Sequence, residues 1–223
     1  MTPTTNARIA GFTFLFYIAV GITSMVLFSE ATSGEGITAK LASIAQHVLQ
    51  VRMTIVLGLL QAVCAIVLAV TLYAITRDRD SDLAMLALTF RVGEGLLGAI
   101  AARAPLDLLW LGTSAGPKAP DAATAQTLAT YLLHGPDWNM SAILFAIGST
   151  LFSYLFLRGR TIPVALAWLG VVASILLVVG LPLQLAGFLS GPVSSYIWIP
   201  MAAFEVPLGF WLLFKSVKTQ TIR

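Results

Sequence analysis

Of 223 residues, 58% are hydrophobic and 10% are charged, and the formal net charge is +3. Soluble domains carry about 25% charged residues, so this inventory cannot cover a water-facing surface. The small positive excess forms no basic patch of the kind nucleic acid requires. One cysteine (Cys64) and two histidines (His47 and His134) exclude internal disulfides and leave no basis for a metal centre or haem, so no metal or cofactor is expected.

Apolar runs of about 20 residues recur along the chain, each sufficient to cross a hydrocarbon core of about 30 Å. They do not alternate as barrel strands would. The first run, 9–28, is longer than a signal-peptide core and no small-x-small cleavage site follows, so it reads as a retained first span. Segment 37–51 then places Ile37, Leu41, Ile44, Val48 and Leu49 on one helical face, with Lys40, Ser43, Gln46 and Gln50 elsewhere. The second and third spans fall at 53–75 and 83–102, joined by a short turn at 76–82.

A second amphipathic segment covers 121–134. Asp121 can cap a helix through Ala125, Leu128, Leu132 and Leu133, which Gly135-Pro136 ends. Three further spans follow at 140–157, 164–188 and 197–214. The predicted fold is an all-α polytopic membrane bundle of about six transmembrane helices in one domain, with two amphipathic helices on the outer side. These two either float at the interface or form a lid. Short connections favour up-down neighbours, and no repeat is strong enough to indicate an inverted-repeat transporter.

Lysine and arginine set the expected orientation. Arg8, Arg77, Arg79, Arg158, Arg160, Lys215, Lys218 and Arg223 fall on one side, against Lys40, Arg52, Arg103 and Lys118 on the other. That ratio of eight to four puts both termini in the cytoplasm, with the bundle in the inner (plasma) membrane.

The chemistry-bearing candidates are the charges inside the spans. Arg91 and Glu94 lie in the third span and Glu205 in the sixth. A charge at mid-span costs several kcal/mol, so such groups face protein and find partners. At about 1.5 Å per residue, Glu94 and Glu205 lie roughly 13 Å and 12 Å below the outer boundary, and Gln61 reaches a similar level. Arg91 and Glu94, three apart, share a face and can pair.

One arginine cannot neutralise two carboxylates. One glutamate is therefore expected to hold a proton, or to pair with Arg52 or Arg103 from the rim. A carboxyl that changes protonation near neutrality serves proton-coupled transport or acid–base catalysis. The alternative is a polar clasp between the third and sixth spans.

Gly93, Gly95 and Gly98 allow close approach or leave room for a ligand. Pro182, near Gln184, and Pro200 and Pro207, bracketing Glu205, free backbone carbonyls or simply kink their helices. His134, Asp137, Trp138 and Asn139 form a polar group at the outer rim, and Cys64 reads as a small packing residue.

The run Ala7-Arg8-Ile9-Ala10-Gly11-Phe12, Phe90-Arg91 followed by Glu94, Arg160-Thr161-Ile162-Pro163 and the late Glu205 resemble bacterial membrane proteins grouped as domain of unknown function 4386. The resemblance covers nearly the whole chain, implies a six-span bundle and implies no activity. Three functions stay open. One is binding or transport of a small amphiphile or lipid in an outward-facing pocket lined by Glu94, Glu205, Arg91 and Gln61. The second is a structural or partner-binding subunit whose ion pairs hold helices together. The third is a metal-independent enzyme acting on a lipid, for which no nucleophile or cofactor motif is present.

Overall fold

Long apolar runs with few internal breakers produce helices alone, with no strand, among the described residues. A computed structural model describes residues 2–117, 119–135, 139–191 and 193–215. In chain order the helices are α1 (Pro3–Ala31), α2 (Gly36–Gln46), α3 (Val48–Thr76), α4 (Ser81–Ala101), α5 (Ala104–Thr113), α6 (Ala122–His134), α7 (Met140–Gly159), α8 (Val164–Leu185), α9 (Val193–Tyr196) and α10 (Ile199–Phe214). Lys118, Pro136, Asp137, Trp138, Lys218 and Arg223, which the sequence reading used, lie outside the described residues.

Five helical stretches are long and apolar enough to cross a membrane: α1, α3, Ser81–Thr113, α7 and α8. The chain is thus a multi-pass helical membrane protein, as its composition predicts. The 16 residues of α10 are apolar as well and extend about 24 Å. Many large apolar side chains on these helices are exposed, Met25, Val56, Val63, Val70, Val172 and Val179 among them. Lipid-facing surface accounts for such residues where water would not.

The chain divides into two compact units. One comprises Met1–Ile18, Val63–Leu97 and Asn139–Arg223; the other comprises Ala19–Ala62 and Gly98–Trp138. In the first, small residues let helices approach closely. Gly170 of α8 lies where α7 and α10 both approach: a Cβ there would lie 2.7 Å from Ser153 Oγ and 2.5 Å from the Phe204 ring of α10. Ala7, Ala10 and Phe14 of α1 are buried in the same core. Between them Gly11 meets α10 backbone: a Cβ there would stand 2.6 Å from the Gly209 carbonyl oxygen and closer still to the Leu213 nitrogen. Helix association within lipid rests on contacts of this kind, because water supplies no apolar driving force there.

At the turn after α7, Arg160 closes the helix in the left-handed region at φ 46, and Arg158 pairs with Asp80 at 2.9 Å. The turns at Asp80 and Arg158 are thereby tied together.

The second unit has its own core. Ala31, Ile44, Val51, Leu108, Leu109, Leu111, Ala125 and Ala129 are buried together. Both amphipathic segments therefore contribute to a packed core, and α2, α5 and α6 contact one another. Gln126 Nε2 donates to Thr38 Oγ1 across α2 and α6 at 3.1 Å. The first segment departs from its expected form: the helix breaks at His47, where φ −109 and ψ 38 are not helical. His47 Nδ1 lies 2.8 Å from the Ser43 carbonyl oxygen and competes for the acceptor that the turn uses. Leu49 consequently belongs to α3 and is exposed instead of sharing Ile44's face.

Helix α5 has no counterpart in the sequence reading. Its signal was present in Pro105, which sits in the first turn where its missing N–H costs nothing. Asp121 caps α6 as expected, accepting from Thr124 N at 3.0 Å and from Thr124 Oγ1 at 2.8 Å.

Two outcomes follow. Gly11→Val should destabilise the protein by about 1–3 kcal/mol, since backbone has to move to admit the side chain. Thermal unfolding in detergent micelles checks this, with the exposed Phe12→Leu unchanged. The amide N–H and hydroxyl of Thr124 hold the Asp121 carboxyl below its ordinary value of 3.8. The cap's contribution is then complete above about pH 4 and is lost as the pH falls through the lower folded value. Hydrogen-exchange protection over 122–126, measured relative to the intrinsic rate at each pH, should fall in that acid range, and Asp121→Asn should remove the dependence.

Candidate functional site

The site grows from one face of α4. Residues three apart on a helix are neighbours, and Arg91 and Glu94 use that spacing to pair while both are buried, at 1% and 3% exposure. Arg91 Nη1 lies 2.9 Å from Glu94 Oε2, but no N–H points along that line. The contact is one of charge without hydrogen-bond geometry. All three guanidinium nitrogens, and Glu94 Oε2 with them, lack a hydrogen-bond partner among the described residues.

Neighbouring helices position the pair. On α7, Gly148 leaves room for the arginine stem: a Cβ there would lie 2.8 Å from Arg91 Cγ. One turn earlier, the Phe145 ring lies 4.8 Å from the guanidinium carbon, within cation–π range. Ser141 Oγ donates to the Glu94 carbonyl oxygen at 3.0 Å. From α1, Tyr17 donates its hydroxyl to Glu94 Oε1 at 3.3 Å. The two Glu94 oxygens therefore differ, one taking the tyrosine and the other facing Arg91.

Glu205 enters from α10. It is 7% exposed, and no hydrogen bond or ion pair engages its carboxyl among the described residues. Phe145, which faces Arg91, lies 6.1 Å from the Trp198 ring at the start of α10, so that helix borders the pair. The layer thus holds two acids and one base, and the base is already in contact with one of the acids.

Residues 9–216, nearly the whole chain, match the family described as Domain of unknown function (DUF4386). The chain belongs to this family. No curated protein and no solved structure matches it. The matched range of the DUF4386 protein contains Arg91, Glu94 and Glu205, whereas Ala7 and Arg8 precede it.

Other candidates distribute differently. Gln61 belongs to the second unit, with its Nε2 against Gly21, where a Cβ would come within 2.7 Å. Arg52 and Arg103 are exposed in that unit, and Arg103 lies 3.4 Å from its helix neighbour Asp107. His134, also exposed there, has Nε2 3.3 Å from Lys40 Nζ. Gln184 is half-buried on α8, two residues beyond Pro182. Pro200 opens α10 from its first turn, so of the two prolines flanking Glu205 only Pro207 interrupts the helix. Asn139 caps α7, accepting from Ala142 N at 3.0 Å.

Tyr17, Ser141 and Phe145 escaped the sequence reading. Tyr17 carried a usable signal, a phenol within an apolar run. Phe145 carried none, because a phenylalanine in a span is ordinary.

The direct polar contacts of α4 run to α1 and α7, so the clasp expected between the third and sixth spans is not made by bonded side chains among the described residues. Removing only Arg91 (Arg91→Met) leaves Glu94 buried without its cation and should destabilise the protein by about 3–5 kcal/mol. The double change Arg91→Met, Glu94→Leu should recover most of that loss. By contrast, Tyr17→Phe removes one interhelical hydrogen bond, averaging about 0.6 kcal/mol in lipid. Unfolding equilibria in mixed micelles separate the three.

Proposed function

We propose that this DUF4386 protein binds or transports a small amphiphilic or lipid-like molecule within the bilayer, at the layer formed by Arg91, Glu94 and Glu205. One observation carries the reading. Buried polar groups ordinarily satisfy their hydrogen bonds, yet among the described residues Arg91 Nε and Nη2 have no hydrogen-bond partner, Arg91 Nη1 and Glu94 Oε2 have only their ion pair at 2.9 Å, and the Glu205 carboxyl has neither hydrogen bond nor ion pair. A polar headgroup offers the missing partners. Apolar neighbours such as Phe145 and Phe204 suit an attached hydrocarbon body.

The depth of the two glutamates in their spans favours access from the side poor in lysine and arginine. The ratio of basic residues favours an inner-membrane protein with cytoplasmic termini.

A second reading has its own support. Arg91 is packed closely by Gly148 and Phe145, as a purely structural cation would be. Native mass spectrometry of gently purified protein separates the two, comparing wild type with Glu94→Gln, Glu205→Gln. A defined small molecule should accompany wild type and be absent from the still-folded double variant. An empty wild type, or identical bulk lipids in both proteins, leaves the charges as helix glue.

A further inference from the structure

We propose that the ligand is a monovalent organic cation with an apolar body, and that it binds Glu205 in exchange for a proton. This rests on the binding reading and gives its ligand a charge. Arg91 is already in contact with Glu94 at 2.9 Å, so the layer's one base is committed. Glu205 remains, 7% exposed and without a partner among the described residues. A bare carboxylate so placed costs several kcal/mol, so the site has to supply a positive charge to it.

Apart from Arg91, whose charge Glu94 already engages at 2.9 Å, the helices packed on α10 supply none among the described residues. Helix α8, which packs against α10, contains no titratable residue along Val164–Leu185, and α10 itself contains only Glu205. On α7, Tyr154 is exposed and Arg158 is held by Asp80 at the helix end. On α1, Tyr17 donates to Glu94, and Arg8 lies about three turns away along the helix. Two species remain to neutralise the carboxyl, a proton or an incoming cation, and they are mutually exclusive there.

The balanced step is exchange. The Glu205 carboxylic acid gives up its proton to solvent, the cation pairs with the resulting carboxylate, and no covalent bond of the ligand changes. The chemistry around the acid selects the cation. An anion would find only Arg91, whose charge Glu94 already balances at 2.9 Å. A hard metal ion takes six or more oxygen ligands in the case of calcium, while Glu205 is the one carboxyl of this layer that neither Tyr17 nor Arg91 engages. Aromatic faces suit a diffuse organic cation: Phe145 already receives Arg91, and Trp198, 6.1 Å from it between ring centroids, stands at the start of α10.

Tetraphenylphosphonium, a permanent lipophilic cation, is the probe. The full chain in neutral detergent would be examined by equilibrium dialysis and, in weak buffer, with a pH indicator. Saturable binding is expected, with about one proton released per cation. By reciprocity the apparent affinity rises about tenfold per pH unit while Glu205 is protonated in the free protein. Glu205→Gln, checked for an unchanged unfolding profile, should lose both signals. Glu205→Asp should retain proton release at weaker affinity, which keeps the test decisive if the glutamine variant fails to fold. Absence of saturable binding, binding without proton release, or binding indifferent to Glu205→Gln overturns the exchange. If the wild type refuses the cation yet holds a neutral or anionic amphiphile lost from the double variant, the exchange fails and the binding reading stands.

Discussion

The structure depends on one constraint, the presence of Arg91 inside a hydrocarbon-facing bundle. A guanidinium cannot shed its proton there, so its neighbours have to accommodate the charge. They do so by proximity of Glu94, by the face of Phe145 and by the absence of a side chain at Gly148. None of these offers an acceptor along an N–H direction. The charge is balanced while the hydrogen-bonding capacity is unspent.

Close helix contacts place the second acid beside this pair. Gly11 lets α1 meet the backbone of α10, and Gly170 admits Phe204, the residue before Glu205. The position of Glu205 is thus set by steric fit on both flanks, with no polar contact of its own among the described residues. The basic residues at the α7–α8 turn serve a different end: Arg158 secures Asp80, far along α7 from Ser141 and Phe145.

The second unit shows how amphipathic segments can be more than surface ornaments. Helices α2, α5 and α6 contribute apolar faces to a common core, and the polar links Gln126–Thr38 and Lys40–His134 run between α2 and α6. The break at His47 divides what periodicity alone joins, because a side chain can compete with the backbone for a carbonyl. Periodicity records which residues are apolar and is blind to that competition.

The sequence by itself determined the membrane class, the helical spans, the cap at Asp121 and the Arg91–Glu94 pairing. These follow from composition, run length and spacing within one helix, all of which are local. Membership of the family was likewise legible, since short runs such as Phe90-Arg91 with Glu94 carry it. Only the tertiary structure decided that Tyr17 reaches Glu94 and that Phe145 and Gly148 receive Arg91. It also placed Gln61 in the other unit despite its matching depth. Helix rise gives depth along an axis, but rotation about that axis and the choice of neighbouring helix arise from packing between distant segments. The orphaned guanidinium is a result of the same packing, since hydrogen-bond direction depends on where three helices meet.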